Sequence, residues 1–165
     1  MKNNKTVAIV PGSFDPITNG HINIAMRAAK EFDIVYLAVM VNDAKKYTFS
    51  IEERKLIAKA ALDGIENIEV ICSTGMLWRL AEELSADAIV KGYRNQTDYD
   101  YEMNMANYNS EHYPNARTIL LKSDASLCDI SSTLVREKIL NGEDISNYVP
   151  PKAVKVIKDI LRDFT

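Results

Sequence analysis

The chain has 165 residues, 47% hydrophobic and 26% charged, with a net charge of −3, which is enough for one domain with a real core and calls for no second one. The mild acidity excludes a general nucleic-acid or anionic-membrane binder, so any anion site has to be a local arrangement. Cys72 and Cys128 are too few for a disulfide scaffold and lack metal-ligand spacing, so reduced structural thiols are expected. Nothing reads as low-complexity or as a repeat. The longest apolar run, 34–41, is far short of the ~20 residues a membrane span needs, and residues 1–5 lead into a strand instead of a signal-peptide core. A cytoplasmic protein with no membrane contact is expected.

Residues 6–10 form a short β-branched run typical of a strand buried on both faces. Residues 11–21, Pro-Gly-Ser-Phe-Asp-Pro-Ile-Thr-Asn-Gly-His, pack turn formers and polar side chains between that strand and a helix whose stripe is Ile22, Ala25, Met26, Ala29 and Phe32. A loop at the carboxyl end of a parallel strand faces a crevice, and the helix after it turns free N–H groups toward that crevice, so a phosphate is the natural occupant. Gly12 and Gly20 allow close approach, Pro11 and Pro16 stiffen the loop, and Ser13 and His21 offer hydrogen bonds. The loop fits neither the Walker pattern nor the three-glycine dinucleotide fingerprint.

Residues 33–41 predict a second buried strand and a right-handed crossover, hence a parallel sheet. The loop after it, 42–47, carries Lys45 and Lys46, which are either simply solvated or placed to meet phosphate. Ser50 and Glu53 have capping-box spacing before a helix with Leu56, Ile57, Ala60 and Ala61 as its stripe. Residues 68–71 give a third strand, Gly75 a turn and 76–84 a helix, in which Trp78 either packs or lines a pocket. Residues 88–90 give a fourth strand ending in Lys91, Gly92, Tyr93 and Arg94 at the crevice side, which suits a polyphosphate or a second anionic substrate.

Between 98 and 113, Tyr99, Tyr101, Met103, Met105, Tyr108 and Tyr113 read either as a packed helix face or as an oligomer interface; Glu102 among them either accepts from a ligand or faces water. Residues 117–121 predict a fifth strand. Leu127, Cys128, Asp129, Ile130, Ser131, Ser132 and Thr133 then lead into a helix over 134–140, closed by Asn141 and Gly142. Three consecutive hydroxyl residues exceed what one cap requires, so the helix start reads as a second anion cradle. After Pro150 and Pro151, a final amphipathic helix carries Val154, Ile157, Ile160, Leu161 and Phe164.

The loops after strands one, two, four and five converge on one crevice, which suits nucleotidyl transfer. No residue pair resembles a nucleophile with its base and no metal cage is visible, so direct in-line attack without a covalent intermediate is expected. Thr18-Asn19-Gly20-His21, preceded by Gly12 to Pro16, resembles the T/H-x-G-H signature of the nucleotidyltransferase superfamily. With Lys91 to Arg94, the segment 98–103 and Ile130 to Thr133, the likeness narrows to the bacterial phosphopantetheine adenylyltransferases and runs over nearly the whole chain. That resemblance implies a single α/β domain over 1–165, a doubly wound, five-stranded parallel Rossmann-like sheet with C-terminal helices. It implies transfer of the adenylyl group of ATP to 4′-phosphopantetheine, with Mg²⁺, giving dephospho-coenzyme A and pyrophosphate in coenzyme A biosynthesis.

By the same resemblance, Ser13 and Phe14 meet ATP, Ser13 also nears the acceptor phosphate, and His21 stabilises the transition state. Lys45 binds the acceptor phosphate, Leu77 touches the pantetheine arm and Lys91 the acceptor. Gly92, Tyr93 and Arg94 meet the nucleotide; His21, Lys45, Ser13 and Arg94 are the catalytic groups, with Lys45 helping to neutralise the transition state; Glu102 lies on the adenosine side, and Leu127 to Thr133 hold the triphosphate. No protein metal ligands are implied. Hexamers and feedback inhibition by coenzyme A are implied as well. Three positions depart from the common pattern: Lys91 where arginine is frequent, which keeps the charge and loses the planar fork, Tyr93 for leucine and Thr133 for serine. A nicotinate-mononucleotide adenylyltransferase or cytidylyltransferase would share the His21 loop but need another acceptor pocket; a non-catalytic nucleotide sensor is the third reading.

Overall fold

Aliphatic runs of six or seven residues form the strands, and helices with one apolar face cover them on both sides. A computed structural model describes residues 4–162. Its strands are β1 (Val7–Gly12), β2 (Ile34–Met40), β3 (Ile68–Ser73), β4 (Ala88–Tyr93) and β5 (Arg117–Lys122), and its helices α1 (Asn19–Glu31), α2 (Ile51–Ala61), α3 (Leu77–Glu83), α4 (Gln96–His112), α5 (Ser132–Leu140) and α6 (Pro151–Arg162). All strand pairs are parallel, in the order β3-β2-β1-β4-β5. The doubly wound α/β sheet expected from the sequence is the one observed. The expectation that residues 1–3 lead into the first strand, and the place of Phe164 on the last helix, fall outside the described residues.

Alternation along the strands assigns the faces. Ala8 and Val10 of β1 join Val35, Leu37, Val39 and Val90 in a core closed by α1, α2, α5 and α6, while Ile9, Ala38 and Ile89 turn to the other face under Leu80 and Ala81 of α3. On that second side α3 meets α4, where Trp78 stacks on His112 with ring centroids 5.0 Å apart and Tyr108 lies 4.4 Å from the same imidazole.

Strand order reverses between β1 and β4, and the two pair only at Ala8↔Ala88 and Ile9↔Ile89. Both backbone groups of Val7 are turned toward Asp87, so the alternate residues Ile9 and Pro11 face the same way. Pro11 has no N–H to give β4, and the ladder ends before it. Beyond Ile9 the strands part and leave a crevice at their carboxyl ends. Strand β1 runs on through Pro11 and Gly12, which the sequence placed in the loop.

Two helix faces differ from expectation. In α2 the buried set is Arg54, Ile57 and Ala58, whereas Leu56 is 56% exposed: positions 54, 57, 58 and 61 share the sheet-facing side of a 3.6-residue helix, and 56 leans outward. In α1, Ile24, Ala25 and Ala28 are buried and Met26 is 44% exposed. In α4 only Ala106 and Asn109 are buried, so Tyr101, Met103, Met105 and Tyr108 do not form a packed face within the chain.

Helix α1 lies against β4 because Gly92 has no side chain: a Cβ there would stand 2.9 Å from Ile24 Cγ1. Gly92→Ala is therefore expected to lower the urea midpoint by the equivalent of about 1–3 kcal/mol, and shortening Ile24 to Ala in the same chain to cost less than the two single changes added together. Additive losses in urea unfolding would show that this contact does not set the α1–β4 distance.

Candidate active site

The crevice between β1 and β4 is an open cleft of about 340 Å³, walled by Val10, Pro11, Gly12, Val90, Lys91 and Gly92, and rimmed by Phe14, Thr18, Gly20, His21, Arg94, Asp98, Glu102, Ser123, Leu127, Ile130, Ser131, Ser132 and Thr133. Its size suits a small-molecule site. Of the residues singled out in the sequence, it gathers Phe14, His21, Lys91, Gly92, Arg94, Glu102, Leu127, Ile130 and the three hydroxyls on one lining. Ser13, Lys45, Leu77, Tyr93, Cys128 and Asp129 stand outside that lining. Leu77 packs with the α3-side core, the Tyr93 ring meets Tyr99 edge-on at 5.0 Å, and Cys128 Sγ donates to the Asp124 carbonyl at 3.4 Å. Lys45 sits exposed on the neighbouring loop.

His21 occupies the third position of α1, after Thr18 as N-cap. Its Nδ1 accepts the Thr18 backbone N–H at 3.0 Å. In the neutral ring that bond leaves the proton on Nε2, available as a donor. Desolvation in the cleft, reinforced by the Arg94 and Lys91 charges, lowers the imidazole pKa from 6.5 to about 4. The Phe14 ring meets the imidazole edge-on with centroids 5.1 Å apart. Phe14 takes a φ of 48°, a conformation uncommon outside glycine, and Gly12 makes room for its ring, since a Cβ there would lie 2.9 Å from Phe14 Cζ. Gly12, which also lines the cleft, thus leaves space for the aromatic ring.

Cations flank the imidazole, each with a carboxylate. Lys91 Nζ lies 3.0 Å from Glu102 Oε2 in an ion pair that lacks hydrogen-bond alignment, and Arg94 Nε donates to Asp98 Oδ2 at 3.2 Å. Asn95 caps α4 by accepting the Asp98 N–H at 2.9 Å, which fixes that carboxylate beside the arginine.

The hydroxyls at the start of α5 each have a structural partner. Ser131 caps the helix by accepting the Leu134 N–H at 3.1 Å, Ser132 donates to the Pro16 carbonyl at 2.8 Å, and Thr133 accepts from Arg136 Nη2 at 3.0 Å. The first residues of α5 themselves stand on the cleft lining. Among the described residues no group of three or more His, Cys, Asp or Glu side chains is arranged to hold a metal ion. Asp98 and Glu102, the carboxylates on the lining, already pair with cations.

Three residues escaped the sequence reading. Asp15, 4% exposed, accepts the Thr48 and Phe49 N–H groups at 3.0 Å each and ties the first loop to the chain after the lysine loop. Arg136 donates to the Asp15 carbonyl at 2.8 Å and ties the same loop to α5. Arg54 is buried beneath both loops. Its signal was a charge on the sheet-facing side of α2, three and four residues before Ile57 and Ala58.

A parallel sheet opening at its switch point, with a helix N-terminus, a neutral imidazole and two cations on the opening, is the arrangement of a nucleotidyl-transferring domain. A cytidylyltransferase-like family model matches residues 9–138. The chain is 44% identical over 158 residues to the phosphopantetheine adenylyltransferase of Lactobacillus acidophilus, covering 95% of this chain and 98% of the relative. It is 42% identical over 155 residues to the protein of that name from Clostridium beijerinckii, covering 94% and 96%, and 36% identical over 155 residues to the one from Staphylococcus haemolyticus, covering 94% and 96%. The chain belongs to the cytidylyltransferase-like family, on its phosphopantetheine adenylyltransferase branch.

The depressed pKa of His21 has a readable consequence. Its imidazole proton resonances are expected to hold steady from pH 8 down to about 5 and to titrate near 4, from the value of about 4 for the folded chain. Between pH 6.5 and about 4 the unfolded chain binds a proton that the folded one does not, so this group lowers stability as pH falls through that window. A His21 titration centred near 6.5 in the folded protein would show that the cleft does not hold the ring neutral.

Proposed function

We propose that this protein transfers the adenylyl group of ATP to 4′-phosphopantetheine, giving dephospho-coenzyme A and pyrophosphate, as a single domain over residues 1–165. The observation that carries the reading is the cleft itself: a neutral imidazole donor, two cations and a helix N-terminus face one opening, which suits charge developing on a transferring phosphoryl group. The relatives' names supply the acceptor.

In this reading an oxygen of the acceptor phosphate attacks the α-phosphorus of ATP. The new phosphorus–oxygen bond forms as the bond to the bridging oxygen of pyrophosphate breaks, with no enzyme-bound intermediate. His21 donates from Nε2 to the α-phosphate oxygens, where negative charge builds. Arg94 and the first turn of α5 bind the departing phosphates, Gly92 and Tyr93 face the nucleotide, and Glu102 orients Lys91 toward the acceptor. Phe14 packs under the nucleotide side, Ser13 and Lys45 hold the acceptor phosphate, and Leu77 meets the pantetheine arm; residues 127–133 line the triphosphate. A Mg²⁺ carried on ATP would supply neutralisation of triphosphate charge, held by phosphate oxygens and water, since Asp98 and Glu102 are paired with Arg94 and Lys91. Catalysis is then positioning and electrostatics.

The exposed Tyr101, Met103, Met105 and Tyr108 fit burial in a homo-oligomer, a hexamer by likeness. Coenzyme A, which carries the acceptor's own arm, fits as a competing inhibitor. Among the described residues no helix is long and apolar enough to cross a membrane, in keeping with a cytoplasmic enzyme.

Mixing the protein with ATP, Mg²⁺ and 4′-phosphopantetheine is expected to release pyrophosphate, and nicotinate mononucleotide is expected not to replace the acceptor. His21→Ala is expected to cut kcat by about 10²–10³-fold with an unchanged circular dichroism spectrum. Pyrophosphate release that prefers nicotinate mononucleotide would overturn the acceptor, and near-normal kcat in the variant would remove His21 from the mechanism.

A further inference from the structure

Arg54 is only 1% exposed, and among the described residues no Asp or Glu forms an ion pair with it. A buried guanidinium without a carboxylate is costly to keep, and an apolar chain of similar length would fill the same space more cheaply. Its retained bonds are therefore informative. One nitrogen, Nη1, donates both to the Ser13 carbonyl at 2.7 Å and to the Met40 carbonyl at 3.0 Å. These carbonyls stand where the β1–β2 pairing ends: that ladder closes at Gly12↔Val39, and Ser13 and Met40 are the next residues along the two strand directions.

The other side of the guanidinium is covered by Tyr47, whose ring centroid lies 4.0 Å from Cζ. The Tyr47 hydroxyl accepts the Asn42 N–H at 2.8 Å, and Asn42 in turn accepts from Ala44 N–H through Oδ1 at 3.0 Å and from Lys45 N–H through its carbonyl at 2.9 Å. A continuous chain of contacts thus leads from the Ser13 carbonyl, through Arg54 and Tyr47, to the backbone of Lys45.

We propose that Arg54 is a positioning residue for the transfer reaction, fixing the loop that carries Ser13 and Phe14 at a set distance from the loop that carries Lys45. Without it, the two strand ends have no common donor and the lysine loop loses the platform under Tyr47. The inference rests on the proposed function for what the two loops hold, and on the geometry alone for their coupling. The plane of the group is what the site uses: Nη1 donates within that plane while its face covers Tyr47, and a lysine keeps the charge but cannot do both at once.

The test is Arg54→Lys in the full chain, read by hydrogen exchange and by kinetics. Amides over 42–47 are expected to exchange at least about tenfold faster, with α1 and β2 unchanged. The value of kcat is expected to fall by about 10–100-fold, the scale of a misplaced reacting group, while KM for ATP moves less than about threefold, because Arg54 is not on the cleft lining and the Phe14 ring is also held by its contact with His21. Adding Lys45→Ala to Arg54→Lys is expected to lower kcat much less than the product of the two single effects. Wild-type exchange over 42–47 in a folded Arg54→Lys protein, or fully multiplicative kinetics, would overturn the proposal. If exchange accelerates over the whole chain, Tyr47→Leu replaces it: faster exchange confined to 42–47 supports the coupling, and unchanged exchange there overturns it. Absence of pyrophosphate release by the unmodified protein would count against the proposed function, and the exchange comparison would still judge the coupling.

Discussion

The parting of β1 from β4 after two paired residues is the constraint on which the rest depends. Pro11 cannot donate toward β4, so the sheet opens where its strand order reverses, and every group on the lining reaches it from the end of an element that the sheet positions. Helix α1 follows β1 directly and brings His21 to the opening on its first turn; β4 delivers Lys91 and Gly92 on the opposite wall; α5 arrives from beyond β5 with its free N–H groups. A continuous β1–β4 ladder would close this space with backbone hydrogen bonds and leave the same side chains on an ordinary sheet edge.

Electrostatics follow from that geometry. The chain is acidic overall, yet Lys91 and Arg94 stand on the cleft beside a helix start, and their partners Glu102 and Asp98 share that lining and hold them in place. The same cations, with desolvation, keep His21 neutral. A protonated imidazole would add charge but would have no need of the Thr18 amide, which selects the tautomer by donating to Nδ1. A donor of fixed orientation, in place of a third mobile cation, is what this packing secures.

Much of this was legible in the sequence because the relevant signals are local. Aliphatic runs, cap residues and the 11–21 frame identify strands, helix starts and the first loop, and strand ends in a parallel sheet necessarily point one way, which is why Lys91, Arg94 and His21 could be placed together. What escaped was set by tertiary packing. Leu56 looked like a core residue, but the helix turns that position to solvent and buries Arg54, whose acceptors are carbonyls 14 and 41 residues away in sequence. Asp15 and Arg136 show no local pattern either; they matter through backbone groups contributed by distant segments. The hydroxyls of α5 read as spare ligand groups, and only the fold reveals that capping, the Pro16 carbonyl and Arg136 already engage them.

The stack of Trp78 on His112 places the chain's sole indole on the side of the sheet opposite α1 and α5. Its near-ultraviolet emission therefore reports on the seam between α3 and α4. A fluorescence change on adding a nucleotide would be a signal transmitted across the sheet, and its absence would be compatible with full occupancy of the cleft.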